Sequence, residues 1–127
     1  MAGGKISQLR RGVKPHKLVT LGGNGATVDV MVVLLSSDIM QQIEEETEEY
    51  CQTNSKRVNT KVRAKYHNKL LCHYCMRDPE DPKYEEFMTD SIEEVGRSLD
   101  DEDIKRVCEA YSELLVNRAP KLEMLKQ

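Results

Sequence analysis

LLCHYCMRDPEDPKYEEFMTDSIEEVGRSLDDEDIKRVCEAYSELL, residues 70–115, sets the end of a basic helix against a double proline break and two short helices with acidic starts. Pro79 and Pro82 lack an N–H and restrict the residue before them, so the helix stops and Asp78–Lys83 is held extended. Ser91-Ile92-Glu93-Glu94 is a capping box, which starts a helix at Ser91. Gly96 weakens that helix, and Asp100 begins another. Asp101, Glu102 and Asp103 then lie in a first turn, where carboxylates complement the helix dipole. Ile104, Val107, Cys108, Tyr111 and Leu115 supply an apolar face, and Pro120 ends the run. The stretch predicts helices over Ser91–Ser98 and Asp101–Arg118, both free of obvious catalytic residues.

Working back from Leu70, the segment Lys56–Met76 carries Val58, Val62, Tyr66, Leu70 and Tyr74 at helical spacing. Before it, Ser36-Ser37-Asp38 offers an N-cap. The helix predicted over Ser37–Gln52 has Ile39, Ile43, Thr47 and Tyr50 in an i+4 row and Glu44, Glu45, Glu46, Glu48 and Glu49 elsewhere. The first of these helices is acidic and the second basic, and a short connection makes them antiparallel neighbours. Further upstream, Lys17–Leu21 and Thr27–Leu35 are rich in Val, Leu and Thr. Gly22-Gly23-Asn24-Gly25 between them supplies positive φ at little cost, which predicts a β-hairpin over 17–35. Residues 1–16 read as a flexible basic arm and residues 119–127 as a loose tail. The expected fold is α+β and mainly α: one domain, with an N-terminal hairpin followed by about four helices in 36–118. Ile43, Val62, Leu70, Val107 and Tyr111 are the expected core.

The 127 residues suit one domain with an aliphatic core: 39% are hydrophobic, with one Phe and no Trp. The net charge of −3 conceals opposed blocks. Residues 1–20 and 56–77 contain Lys and Arg but no acid, whereas 78–103 hold twelve acids against Lys83 and Arg97. Such blocks favour pairing within the domain or between copies, in a homo-oligomer. They argue against a nucleic-acid partner, which usually meets a basic excess. Val28–Leu35 is far too short to span a membrane, and no apolar signal segment follows the basic N-terminus. A cytosolic, non-membrane protein with free thiols is the expectation.

Cys72-His73-Tyr74-Cys75 is the one stretch that invites chemistry. A zinc site needs a second ligand pair, but Cys51 and Cys108 stand singly on other helices. A redox CxxC sits at a helix N-terminus, and this one lies near a C-terminus. Cys51, Cys75 and Cys108 therefore read as small core residues. Gly22–Gly25 lacks the ending of a phosphate loop and joins two strands. Asp100–Asp103 has no calcium-loop spacing, and no His has a nucleophile partner at recognisable spacing. The sequence offers no catalytic residues, no cofactor-binding residues and no metal ligands. A small zinc or thiol module built on Cys72 and Cys75, or a nucleic-acid-binding regulator using the basic helix, are the alternatives to a protein-binding role.

The order "helix, RDPEDP, short helix, LDDEDI, helix with a Tyr" resembles the C-terminal half of the tail assembly chaperones of long-tailed bacteriophages. The resemblance is carried by the DPxxP break at Asp78–Pro82, by Glu94-Val95, Leu99, Glu102-Asp103-Ile104 and Tyr111, and more weakly by the join Val32–Glu44. It implies a non-catalytic protein that binds the tape measure protein, with the tail tube protein as a second partner. It also implies action in the host cytoplasm, absence from the mature virion, and in many members a longer frameshifted form. Leu122, Met124 and Leu125 are apolar positions with little core left to join, so they are the expected partner contacts, together with any exposed part of Val116 or Ile92.

Overall fold

The structure, a computed structural model, describes residues 14–23, 25–54 and 59–118. Two strands, β1 (His16–Gly23) and β2 (Ala26–Val33), lead into helices α1 (Ser37–Thr53) and α2 (Thr60–Cys75). A two-residue strand β3 (Met76–Arg77) follows, then α3 (Ile92–Ser98) and α4 (Asp101–Arg118). This is the expected α+β arrangement, dominated by helix, with a hairpin followed by four helices. Of the arm read over residues 1–16, 1–13 lie outside the described residues, as do the tail 119–127 and Lys56, Arg57 and Val58. Its end is not an arm, because His16 opens β1 and Pro15 O accepts the Leu34 N–H at 2.9 Å.

β1 and β2 are antiparallel and pair from His16↔Val33 to Gly23↔Ala26. Gly22 and Gly25 both take positive φ, at 93° and 87°. A Cβ on Gly22 would lie 2.3 Å from the carbonyl oxygen of Ala26, so no other residue fits there. Side chains alternate across the sheet. Val19, Leu21, Val30 and Val32 share the face turned toward the helices, and Leu21, Val30 and Val32 are buried there.

The sheet has a third strand that the helical period conceals. Met76 and Arg77 pair with Val32 and Met31, giving the order β1-β2-β3. The predicted helix through Met76 therefore ends at Cys75. Its start is also later than Lys56, at Thr60, because the Asn59 side chain accepts the Val62 N–H at 2.9 Å and caps it. One core cluster joins the hairpin to the helices through Leu21, Val30, Val32, Ile43, Leu70, Cys72, Cys75, Val95, Val107 and Tyr111. Val62, expected in that core, is only half-buried.

The double proline segment is a folded loop rather than an extended one. Asp78 N–H donates to Glu86 O at 2.8 Å and Met88 N–H to Met76 O at 3.2 Å, with Arg77 bridged to Phe87. Inside the loop, Asp81 accepts the backbone N–H groups of Lys83, Glu85 and Glu86 at 3.2, 2.7 and 2.8 Å. Those three donors hold the Asp81 carboxyl below the usual carboxylate range. Tyr84 takes φ 53°, which lets the chain reverse. Arg77 is buried beneath: its guanidinium donates to Tyr74 O at 2.8 and 3.0 Å and to Tyr84 O at 3.1 Å.

Among the described residues, no helix is long and apolar enough to cross a membrane.

Candidate functional site

A groove of about 690 Å³ lies between α2 and α4. Lys65, Asn68 and Lys69 of α2 form one wall; Lys105, Glu109, Ser112 and Glu113 of α4 form the other. Ile104 and Cys108 lie along its floor. The position of the groove follows from how α4 packs. Asp103, Val107, Ala110 and Leu114 are all buried and recur at i, i+4, i+7 and i+11, which fixes the inward face. The next residue round the helix is turned by about 100°. Leu115, expected on the buried face, is accordingly 51% exposed, and Val116 is 71% exposed. Leu115 lies i+7 from Cys108, and Val116 lies i+4 from Ser112, so both continue the groove-facing side toward the helix C-terminus.

The N-terminus of α4 is anchored to the hairpin. Asp100 accepts the Asp103 N–H at 2.8 Å, and Asp103 reaches back to the Asp100 N–H at 3.4 Å. This reciprocal pair is a capping box with Asp in both positions. The same Asp103 carboxylate accepts the Gly22 N–H at 2.9 Å. Lys17 of β1 pairs with Glu113 on α4, and the Tyr111 hydroxyl accepts the Leu35 N–H at 3.3 Å. Both walls of the groove therefore stand on elements fixed by the core.

The basic helix spends part of its charge on its acidic neighbour. Arg63 meets Glu44 and Glu48 at 3.3 and 3.2 Å, and His67 meets Glu44 at 3.0 Å. Tyr50 and Tyr66 stack at 3.9 Å between the same helices. The Tyr74 hydroxyl donates to Glu46 at 2.7 Å. Burial, followed by this bond, pushes the phenol up to about 12. These contacts hold α1 on α2 and leave Lys65 and Lys69 to face the groove.

The thiols are arranged differently from the sequence reading. Cys72 and Cys75 are fully buried, whereas Cys51 and Cys108 are half-buried. Cys108 lies on the turn of α4 that packs over Cys72 of α2. Cys72 Sγ also lies 4.0 Å from Ile104 O, one turn before Cys108. The neighbouring Cys108 thiol and burial push the Cys72 thiol up, while the neighbouring Cys72 pulls the Cys108 thiol down. Burial, with Cys108 adding to it, raises the Cys75 thiol. A helix-by-helix reading misses this approach, because Cys72 meets the Ile104 turn only when α4 folds back on α2. Among the described residues, no group of three or more His, Cys, Asp or Glu side chains is placed to hold a metal ion. His73 instead bonds Thr89 Oγ1 at 2.8 Å and packs edge-on to Phe87.

Leu122, Met124 and Leu125 lie outside the described residues, and Ile92 is half-buried against the core. Of the expected contacts, Val116 is the described one that is fully exposed, and Leu115 joins it. No family model, curated protein or solved structure matches the chain.

Proposed function

We propose that this protein is a phage tail assembly chaperone that binds the tape measure protein and assists assembly of the tail tube around it, without catalysing a reaction. The observation that carries the reading is the α2–α4 groove continued by exposed Leu115 and Val116. An amphipathic helix is recognised by laying its apolar stripe along such a surface, with charged walls meeting its polar flanks. Lys65 and Lys69 on one wall stand across from Lys105, Glu109 and Glu113 on the other, which suits a helix carrying both signs of charge. Leu122, Met124 and Leu125 follow Val116 in the sequence and extend the set of candidate contacts.

The residues that carry the resemblance also belong to one packed unit, which supports treating them as a motif. Arg77 and Asp81 organise the double proline loop, Val95 of α3 is buried, and Ile104 and Tyr111 of α4 sit in the core. The nucleic-acid alternative is disfavoured by the engagement of Arg63 and His67 with α1.

The test is a pull-down with a phage tape measure protein, using the full-length protein. Recovery of a complex, weakened by Leu115→Glu with Val116→Glu, is the expected result. Failure to recover any complex would remove the chaperone reading. Binding unaffected by both substitutions would keep it and discard this surface.

A further inference from the structure

We propose that the outer edge of β1 is a self-association surface: two copies of this chain join their β1 strands antiparallel about Leu18, making one continuous sheet. The inference is independent of the chaperone reading.

The hydrogen-bond register identifies which groups of β1 are open. In an antiparallel pair, alternate residues point both backbone groups at the neighbouring strand, and the residues between them point away. Leu34 N–H donates to Pro15 O at 2.9 Å, and the same register continues from His16↔Val33. Pro15, Lys17, Val19 and Leu21 therefore face β2, whereas His16, Leu18, Thr20 and Gly22 face outward. Gly22 agrees with this assignment. Its N–H donates to Asp103 at 2.9 Å, and its carbonyl accepts from Arg106 at 3.4 Å, both residues of α4. At the other end, the Lys14 carbonyl lies 2.7 Å from Nδ1 of the His16 ring. Side chains thus close the edge at both ends. Between them, the outward backbone groups of His16, Leu18 and Thr20 have no hydrogen-bond partner among the described residues. All three residues are exposed.

A row of open N–H and C=O groups is completed by an extended strand. The symmetry of the opening singles out a second copy, because Leu18 is its midpoint. A two-fold axis at Leu18 sets Leu18 against Leu18 of the second copy, and His16 against Thr20 of the second copy. Every open N–H then meets an open carbonyl, as an isologous interface requires.

The side chains fit the same axis. Leu18 is 53% exposed on the sheet face turned away from the helices, and the pairing covers it with its symmetry mate. A protected edge carries a charge or a proline at such a position; this one carries leucine. On the helix-facing side, Lys17 falls opposite Val19 of the second copy, and its charge is already met by Glu113. No like charges are set directly opposite, an arrangement that would oppose pairing. The far side of β2 is taken at Met31 and Val32 by β3.

Sedimentation of the full-length protein over a wide range of concentration is the test. The expected result is a mass that doubles as concentration rises. Leu18→Lys opposes two ammonium groups on the axis. Leu18→Pro removes an N–H that does not serve β2, a change an edge strand tolerates. Both variants should keep the mass of one chain across that range, with the far-ultraviolet circular dichroism of the wild type. Leu18→Cys, mildly oxidised, should give a dimer cross-linked through position 18, located by mass spectrometry of a non-reducing digest. Val28→Cys, at an exposed position of the other strand, should give no such cross-link. A wild-type chain that stays single at every concentration would overturn the proposal. So would a dimer that persists in Leu18→Lys and forms no cross-link through position 18. Slow hydrogen exchange of the Leu18 amide in the single chain would also overturn it, by placing another segment of the same chain on this edge.

Discussion

The Asp103 carboxylate accepts the backbone N–H of Gly22 at 2.9 Å across 81 residues of sequence, and so fastens the start of the last helix to the end of the first strand. Asp103 is 7% exposed, and the same side chain closes the cap on the Asp100 N–H. Arg106 lies alongside it at 3.8 Å. One residue therefore caps a helix and ties it to a strand.

Asp103→Ala should lower stability by about 1–3 kcal/mol, because it leaves the Gly22 N–H without its acceptor and opens the helix cap. Gly22→Ala should be at least as damaging, since its Cβ would collide with the Ala26 carbonyl. Urea unfolding of the two variants and the double variant measures this. Fully additive losses would show that the two residues are not coupled.

Arg77→Leu should release the double proline loop. The buried guanidinium holds the carbonyls of Tyr74 and Tyr84 and sits 4.4 Å over the Phe87 ring. Bonds to a charged group contribute about 1.5–3 kcal/mol, and that is the expected loss. Tryptic cleavage after Lys83 should quicken in the variant while the rest of the chain stays protected. Unchanged cleavage there would mean that Asp81 organises the loop unaided.

Leu70→Ala should cost on the order of 2–5 kcal/mol, as its side chain is almost fully buried between sheet and helices. Leu115→Ala, on the exposed side of α4, should change stability by about 0.5 kcal/mol or less. Thermal or urea unfolding separates the two cases. A comparable loss at both positions would contradict the assignment of Leu115 to the surface.

His73 should make stability fall on mild acidification. Burial, the largest influence, lowers its pKa from the ordinary 6.5, so the unfolded chain binds a proton that the folded chain resists. The contribution is complete above the unfolded value and is lost as pH falls through 6.5 toward the folded value. His73→Gln should flatten this part of the stability–pH curve. An unchanged slope would assign the acid sensitivity to other groups.

The hairpin and four helices were legible because each has a local cause: Gly22 and Gly25 at positive φ, the Ser36 and Ser91 caps, and apolar residues at helical spacing. Ile43, Leu70, Val107 and Tyr111 were read as core for the same reason. What escaped depends on distant partners. Met76 and Arg77 continue a helical period but leave it to pair with Val32 and Met31. The prolines at 79 and 82 suggest extension, yet Asp81 and Arg77 gather the segment into a loop. Leu115 fits an apolar stripe whose centre, set by packing on β1 and α2, runs through Val107 and Leu114 instead. The burial of Cys72 against Ile104 escaped because that contact exists only through the tertiary fold. The groove itself was not foreseen, since neither of its walls is distinctive until α2 and α4 are side by side.

Co-expression gives the most direct test of the proposed role. The tape measure protein is produced alone, with this chain, and with its Leu115→Glu and Val116→Glu double variant, and its soluble fraction is measured in each case. The account predicts a marked rise in soluble tape measure protein with the wild-type chain and loss of most of that rise with the variant. Equal solubility with and without the wild-type chain would contradict it.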